Sequence, residues 1–190
     1  KRDYLRGFGY QGGGSRSSWQ RNVAELSFGA DFKDELTKPG PWSMGLGGFG
    51  ETLPHHDNKM YLDPKDKDKW GMPLVVFDAE LRENEKKMRV DMANDAVEML
   101  EKAGVKNVKA NDRGSWLGMA IHEMGTARMG RDPKTSVLNG NNQVHACKNV
   151  FVTDGAFMVS SSCVNPSLTY MALTARAADF AVKEKKKGNI

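Results

Sequence analysis

The sequence predicts a mixed α+β fold. Two segments carry apolar residues at spacings of three and four, one over residues 84–104 and one after Asn165, and these read as helices. Short apolar runs bounded by Gly, Pro, Asn and Asp lie between them and read as strands. With 190 residues the chain is long enough for one domain, or two small ones, built on a core that needs no metal or disulfide staple.

Taken in order, the first fifty residues hold glycine clusters at 7–14 and 45–50, which predict loops with short strands rather than helices. Gly12-Gly13-Gly14 follows no apolar strand that could present it to a phosphate, so it reads as a flexible loop. Residues 49–63 read as strand, turn and strand, with His55-His56-Asp57-Asn58 turning and Met60 and Leu62 alternating with polar neighbours. Asp63-Pro64-Lys65-Asp66 reads as a second turn and Leu74-Val75-Val76-Phe77 as a short buried strand. In the first helix Asn84 is the expected cap, with Glu85 favourably near the dipole. Met88, Met92, Ala96, Met99, Leu100 and Ala103 make its buried stripe, and Gly104 closes it in the left-handed conformation. Residues 105–108 read as a strand, 111–114 as a turn, and 116–124 as a short apolar stretch. A strand over 149–153 stops at Asp154-Gly155. In the second helix Pro166 suits the first turn, Leu168, Met171, Ala172, Ala175 and Ala178 form the expected buried stripe, and lysines crowd the C-terminal end.

Composition narrows the function classes. The hydrophobic fraction of 39% and charged fraction of 27% are those of a globular chain. No apolar run approaches the roughly 18 residues of a membrane span. The net charge of +4 comes mostly from the tail Lys183-Glu184-Lys185-Lys186-Lys187, so no basic face remains to argue for nucleic acid. Two cysteines, Cys147 and Cys163, allow one bridge or none.

The candidate chemistry is sparse. Adjacent His55 and His56 on an extended segment point to opposite faces, so a solvated turn fits them better than a shared metal. His122-Glu123 begins like a zinc-protease helix, but Thr126 occupies the place of the second histidine. Ser160-Ser161-Ser162 lacks the glycines of a nucleophile elbow and reads as turn or strand-end serines, which leaves a hydrolase weakly supported. His145 attracts no role. Two features survive: His122 within residues 121–130, and a strand ending in Asp154-Gly155 that is followed by Asn165-Pro166-Ser167-Leu168-Thr169 opening a helix.

Together these form a longer pattern. His122, Gly125-Thr126, Arg128-Met129-Gly130, Asp132-Pro133, Ser136-Val137, the strand into Asp154-Gly155, and Asn165-Pro166-x-Leu168-Thr169 occur in that order. Upstream stand Leu53-Pro54, Asn58, Leu62-Asp63, Lys67-Asp68-Lys69-Trp70-Gly71-Met72-Pro73 and Asn84-Glu85. Over residues 49–183 the chain resembles the C-terminal part of the glucose–methanol–choline oxidoreductases, nearest to sugar-oxidising members.

The resemblance implies an antiparallel substrate-domain sheet with a flanking helix, plus a strand–loop–helix segment of a divided FAD-binding domain. On that basis residues 1–115 belong to the substrate-binding domain, and residues 116–190 carry the site and return to the FAD domain. It implies oxidation of an alcohol or sugar CH–OH group with FAD, dehydrogenase and oxidase chemistry being equally open. His122 stands where the family's histidine takes the hydroxyl proton, a task that suits an imidazole. Asn165, 43 residues on, holds the second catalytic position; its amide cannot act as a base but can orient the hydroxyl. Pro166, Ser167 and Leu168 open a helix whose free N–H groups would stabilise negative charge on reduced flavin. Asp154 and Gly155 match the strand-end pair beside the ribityl and diphosphate groups. The ADP-binding glycine fingerprint of the family has no counterpart here, so the chain is expected to be a C-terminal portion that binds FAD weakly alone and depends on a missing N-terminal FAD-binding region. A non-catalytic binding module that keeps the same fold, using the glycine-rich N-terminal surface or the lysine tail, is the alternative.

Overall fold

The computed structural model describes residues 1–17, 28–112 and 117–190. Their elements run β1 (Phe8–Arg16), α1 (Ala30–Thr37), β2 (Trp42–Gly50), β3 (Lys59–Lys67), β4 (Pro73–Asp78), α2 (Glu83–Lys102), β5 (Gln143–Val144), β6 (Cys147–Phe151) and α3 (Ser167–Lys186). The strands pair antiparallel as β1–β2, β3–β4 and β5–β6, so the mixed α+β class holds. The expected turn over 111–114, the start of the apolar stretch at Trp116 and the domain boundary between 115 and 116 fall wholly or partly outside the described residues.

The glycine-rich beginning is more regular than its composition predicts. β1 and β2 pair along nine residues each, from Phe8 opposite Gly50 to Arg16 opposite Trp42, and Gly12-Gly13-Gly14 lies inside β1 rather than in a loop. Glycine usually weakens a strand, but here it admits a close neighbour. A Cβ on Gly50 would stand 2.7 Å from the Met88 sulfur, and Met92 crowds Gly48 in the same way. The methionine face of α2 thus lies directly on β2, and the Tyr10 hydroxyl reaches across to donate to the Met92 carbonyl at 2.6 Å. The expectation of no helix in this region fails at α1. Its eight residues contain neither Gly nor Pro, start after Gly29 at φ +89° and place Asp31 in the first turn, where a negative charge is favoured. Average glycine content concealed that local island.

In the second hairpin the reversal lies later than expected. Asp68 Oδ1 accepts the N–H groups of Trp70 and Met72, each at 2.9 Å, and Gly71 supplies φ +85°. Asp63 does make turn-like bonds, accepting from Lys65 N–H at 2.8 Å and Asp66 N–H at 2.9 Å, but inside β3. There they produce the irregularity in register between Leu62 and Lys67. β4 covers the expected strand, yet Leu74, Val75 and Phe77 are exposed rather than buried.

α2 starts one residue before the expected cap, with Arg82 at the cap position, because the Asn84 amide is engaged by Leu5. Its other end closes as a Schellman motif: Gly104 N–H bonds Glu101 O at 2.9 Å and Val105 N–H bonds Leu100 O at 3.0 Å, with Gly104 at φ +85°. Val105 is spent on that closure and Asn107 turns left-handed at φ +58°, so the strand expected over 105–108 does not form. On the expected stripe Met88 and Leu100 are buried, Met92 and Ala96 half-buried, and Met99 and Ala103 exposed.

α3 begins at Ser167 with a buried Pro166 as its cap rather than within the first turn. Its packed face is not the expected one. Leu168, Met171, Ala172, Ala175 and Ala178 are exposed, while Tyr170, Leu173, Thr174, Ala177 and Phe180 face the protein. Tyr170 meets Phe157 edge to face at 6.1 Å and Phe180 meets Phe151 at 6.3 Å. Thr174 gives its hydroxyl to Thr153 O at 3.2 Å. The hydroxyls of Tyr170 and Thr174, which kept those two residues off the expected stripe, find partners in the folded protein, so both can be buried at little cost.

Candidate active site

The segment that carries His122 is held by its backbone. Ile121 sits at φ +58° and Gly125 at φ +86°, so the chain turns sharply on both sides of the half-buried His122. Beyond the turn Ala127 N–H bonds Ala156 O at 3.0 Å, Met129 N–H bonds Phe157 O at 2.9 Å and Gly130 N–H bonds Leu138 O at 2.8 Å. Leu138 and Phe157 are fully buried and anchor this ladder. His145 has a structural place in it: its Nε2 lies 3.1 Å from Ser136 Oγ and 3.2 Å from Gly130 O.

Downstream of β6, Asp154 caps a short 3-10 turn, Gly155–Phe157, by accepting Ala156 N–H at 2.9 Å. Gly155 lies where three groups converge. A Cβ there would meet Tyr170 Oη at 2.8 Å, Met124 Sδ at 3.0 Å and Glu123 O at 3.3 Å. The close approach that Gly155 permits in this structure is therefore that of the protein's own groups. The Tyr170 hydroxyl is 3.4 Å from Met124 Sδ, and burial followed by the Asp154 charge pushes its pKa up, so it stays protonated.

The α3 start opens onto a cavity of about 300 Å³. Asn165, Pro166 and Thr169 line it with Ser160, Ser161 and Ser162 on one side, and Arg6 and Glu51 from the β1–β2 hairpin form the other. Cys163, a free thiol, fastens the two sides; its Sγ would lie 2.8 Å from a Cβ on Gly9. No side chain caps α3, so the first-turn amides of Ser167, Leu168 and Thr169 are those that a helix start leaves without an intrahelical acceptor.

Of the residues singled out in the sequence, the structure brings Asp154, Gly155 and the α3 start together through Tyr170, whose N–H bonds Pro166 O at 3.2 Å. His122 joins this group through the next two residues, Glu123 and Met124, and is not itself one of the residues lining the cavity. The wall residues Arg6 and Glu51 belong to no sequence motif, and the three serines read in the sequence as turn or strand-end residues. No local pattern announces a wall assembled from residues more than a hundred positions apart.

The family profile described as GMC oxidoreductase matches residues 54–174. The chain belongs to the GMC oxidoreductase family. That family consists of FAD-dependent flavoproteins acting on alcohols and sugars. Among the similar proteins are 2-methyl-1,2-propanediol dehydrogenase of Mycolicibacterium austroafricanum, 36% identical across 70% of this chain and 24% of that protein. Paromamine 6'-oxidase of Streptomyces fradiae is 35% identical across 66% of this chain and 23% of its own length. The fructose dehydrogenase large subunit of Gluconobacter japonicus is 28% identical across 84% and 29%, respectively. The GMC chain thus spans about a quarter of the length of these relatives.

The residues present suit one end of a flavin. The uncapped amides at Ser167, Leu168 and Thr169 offer donors to an electron-rich ring edge, and the exposed Asp154 carboxylate has acceptor capacity left for a ribityl hydroxyl.

Proposed function

We propose that this chain carries the catalytic residues of an FAD-dependent dehydrogenase or oxidase that oxidises a CH–OH group of an alcohol or sugar. One observation supports the reading most strongly. Met124, two residues beyond His122, packs against Tyr170, in the first turns of the helix that Asn165 precedes, and both crowd Gly155 at the strand end. Three sequence-distant parts of the expected site are thereby knit into one body.

His122 takes the substrate hydroxyl proton on a ring nitrogen, which raises electron density on the alcohol oxygen and weakens the adjacent C–H bond. Asn165, on the cavity wall, holds that oxygen with its amide and fixes which hydrogen faces the acceptor. Bound FAD supplies the hydride acceptor. Pro166, Ser167 and Leu168 begin the helix whose uncapped N–H groups would hold the ring edge of FAD and stabilise negative charge there, and Asp154 and Gly155 would hold its ribityl end.

The decisive experiment is flavin reduction by a rapidly mixed alcohol substrate in the full-length flavin-loaded protein. His122→Ala with normal flavin content is expected to slow reduction by about 10²- to 10⁴-fold. Unchanged reduction removes His122 from the chemistry, whereas a flavin-loaded wild-type protein that no alcohol or sugar reduces makes the non-catalytic module the better account.

A further inference from the structure

The cavity beside Asn165 has a second chemically distinctive wall that the proposed chemistry does not use. Arg6 and Glu51 project into it from the open end of the β1–β2 hairpin, with Arg6 Nε 3.6 Å from Glu51 Oε1. At that separation the pair is an ion pair without a tight hydrogen bond, so both groups keep donor and acceptor capacity for a third party.

Their placement is built from α2. Asn84 grips the residue before Arg6 at both backbone atoms: Leu5 N–H bonds Asn84 Oδ1 at 2.7 Å, and Asn84 Nδ2 donates to Leu5 O at 3.3 Å. Glu85, 4% exposed, grips the chain two residues past Glu51 by accepting Leu53 N–H at 3.1 Å. The two clamps are themselves joined, Asn84 Nδ2 donating to Glu85 Oε1 at 3.2 Å. Between them Glu51 N–H reaches Gly7 O at 3.4 Å. Arg6 meanwhile adopts φ +71°, a left-handed conformation that is costly for any residue with a Cβ. A half-exposed ion pair contributes too little to offset that cost, so the pairing alone does not explain why the chain holds Arg6 there.

We propose that Arg6 and Glu51 form the polyol-recognition wall of this cavity and bind the hydroxyl groups that are not oxidised. The inference rests on the reading that the alcohol undergoing oxidation is held at Asn165. A carboxylate accepts from hydroxyls and a guanidinium donates to them, so the pair matches neighbouring hydroxyls, each of which is both donor and acceptor. The pair is balanced in charge and therefore favours a neutral polyol over an acid. Asn84 and Glu85 are positioning residues for that wall.

The test uses the full-length flavin-loaded protein with D-glucose, D-fructose and propane-1,2-diol against 1-propanol, which lacks a second hydroxyl. In Glu51→Gln the ratio of kcat/KM for the best polyol to that for 1-propanol is expected to fall about tenfold or more, as for a hydrogen bond to a charged group. Arg6→Lys, which keeps the charge but loses the planar fork, gives the same direction should Glu51→Gln fail to take up flavin. Equilibrium binding of the same polyol to dithionite-reduced anaerobic protein, where no turnover occurs, is expected to weaken in parallel. An unchanged ratio with unchanged binding overturns the proposal. So does a wild-type protein that oxidises 1-propanol but neither binds nor oxidises a polyol, and that result leaves the proposed chemistry intact. A protein that oxidises none of the four removes the proposed function and this wall with it.

Discussion

His122 follows a left-handed Ile121, a β-branched residue strained at positive φ, and strain of that kind collects in turns where a side chain is held for chemistry. The residues proposed to act with it stand in local motifs that a sequence can display: the histidine segment, the strand end and the helix start each occupy a few consecutive residues. Arg6, Glu51 and the serines were not legible, because a cavity wall is a product of folding and leaves no spacing behind. The two proposed catalytic positions should separate kinetically. His122→Ala is expected to lower kcat far more than Asn165→Ala, since one moves a proton and the other orients, and steady-state kinetics on one substrate compares them. Equal losses would assign both residues the same task. Gly155 offers a test at the same scale that needs no flavin. In Gly155→Ala the new methyl meets Glu123 O at 3.3 Å and the packed Tyr170 and Met124, so the turn must shift as a whole. A loss of about 1–3 kcal/mol is expected in denaturant unfolding. A variant as stable as wild type would mean that the three groups around Gly155 are not packed as described.

Helices α2 and α3 teach different lessons about elements. Both were legible from their periodicity, but only α2 showed the face that it buries. On α3 the expected stripe of Leu168, Met171, Ala172, Ala175 and Ala178 is exposed, whereas Tyr170, Leu173, Thr174, Ala177 and Phe180 face the protein, with rings against Phe157 and Phe151 and the Thr174 hydroxyl on Thr153 O. For Tyr170 and Thr174 the partners of their hydroxyls exist only in the assembled protein, so apolar counting cannot foresee their place on that face. On α2 the first turn matters more than the stripe. Burial pushes the Glu85 carboxyl up, but the N–H groups of Leu53 and Arg82 and the Asn84 amide outweigh this and bring its pKa below the usual carboxylate value. A depressed folded pKa means that the stabilisation is complete above the unfolded value of about 4.5 and is lost as the pH falls through the folded one. Glu85→Gln, which keeps one acceptor oxygen and leaves the other backbone donor facing an NH2 group, is expected to cost about 1–3 kcal/mol at pH 7. The gap from wild type should narrow as denaturation is repeated at pH values falling below 4.5. A gap that widens in acid contradicts the clamp.

At the scale of the whole molecule, the uneven burial has a consequence. Among the described residues the hydrophobic core is Met88, Leu100, Leu138, Phe157 and Ala177, a small set for a chain of 190 residues. Leu168 is 78% exposed and Met171 68% on α3, while Trp70 is 76% and Phe77 70% exposed on the β3–β4 hairpin. Apolar surface on that scale marks faces that other protein covers, and the relatives are about four times longer than the part matched here. β1–β2 is supported by α2, but β3–β4 pairs chiefly with itself. A two-stranded hairpin with both faces in water is marginal. Hydrogen exchange on the 190-residue chain alone should therefore show β3–β4 amides exchanging almost as fast as unfolded peptide, while the backbone of α2 and of the ladder around Leu138 and Phe157 stays protected. In a longer protein whose added chain covers this face, the same β3–β4 amides should slow by orders of magnitude, because covering a face suppresses local opening. Strong protection of β3–β4 in the isolated chain would show that the hairpin is stable without a cover, and the exposed aromatic residues would then need another explanation.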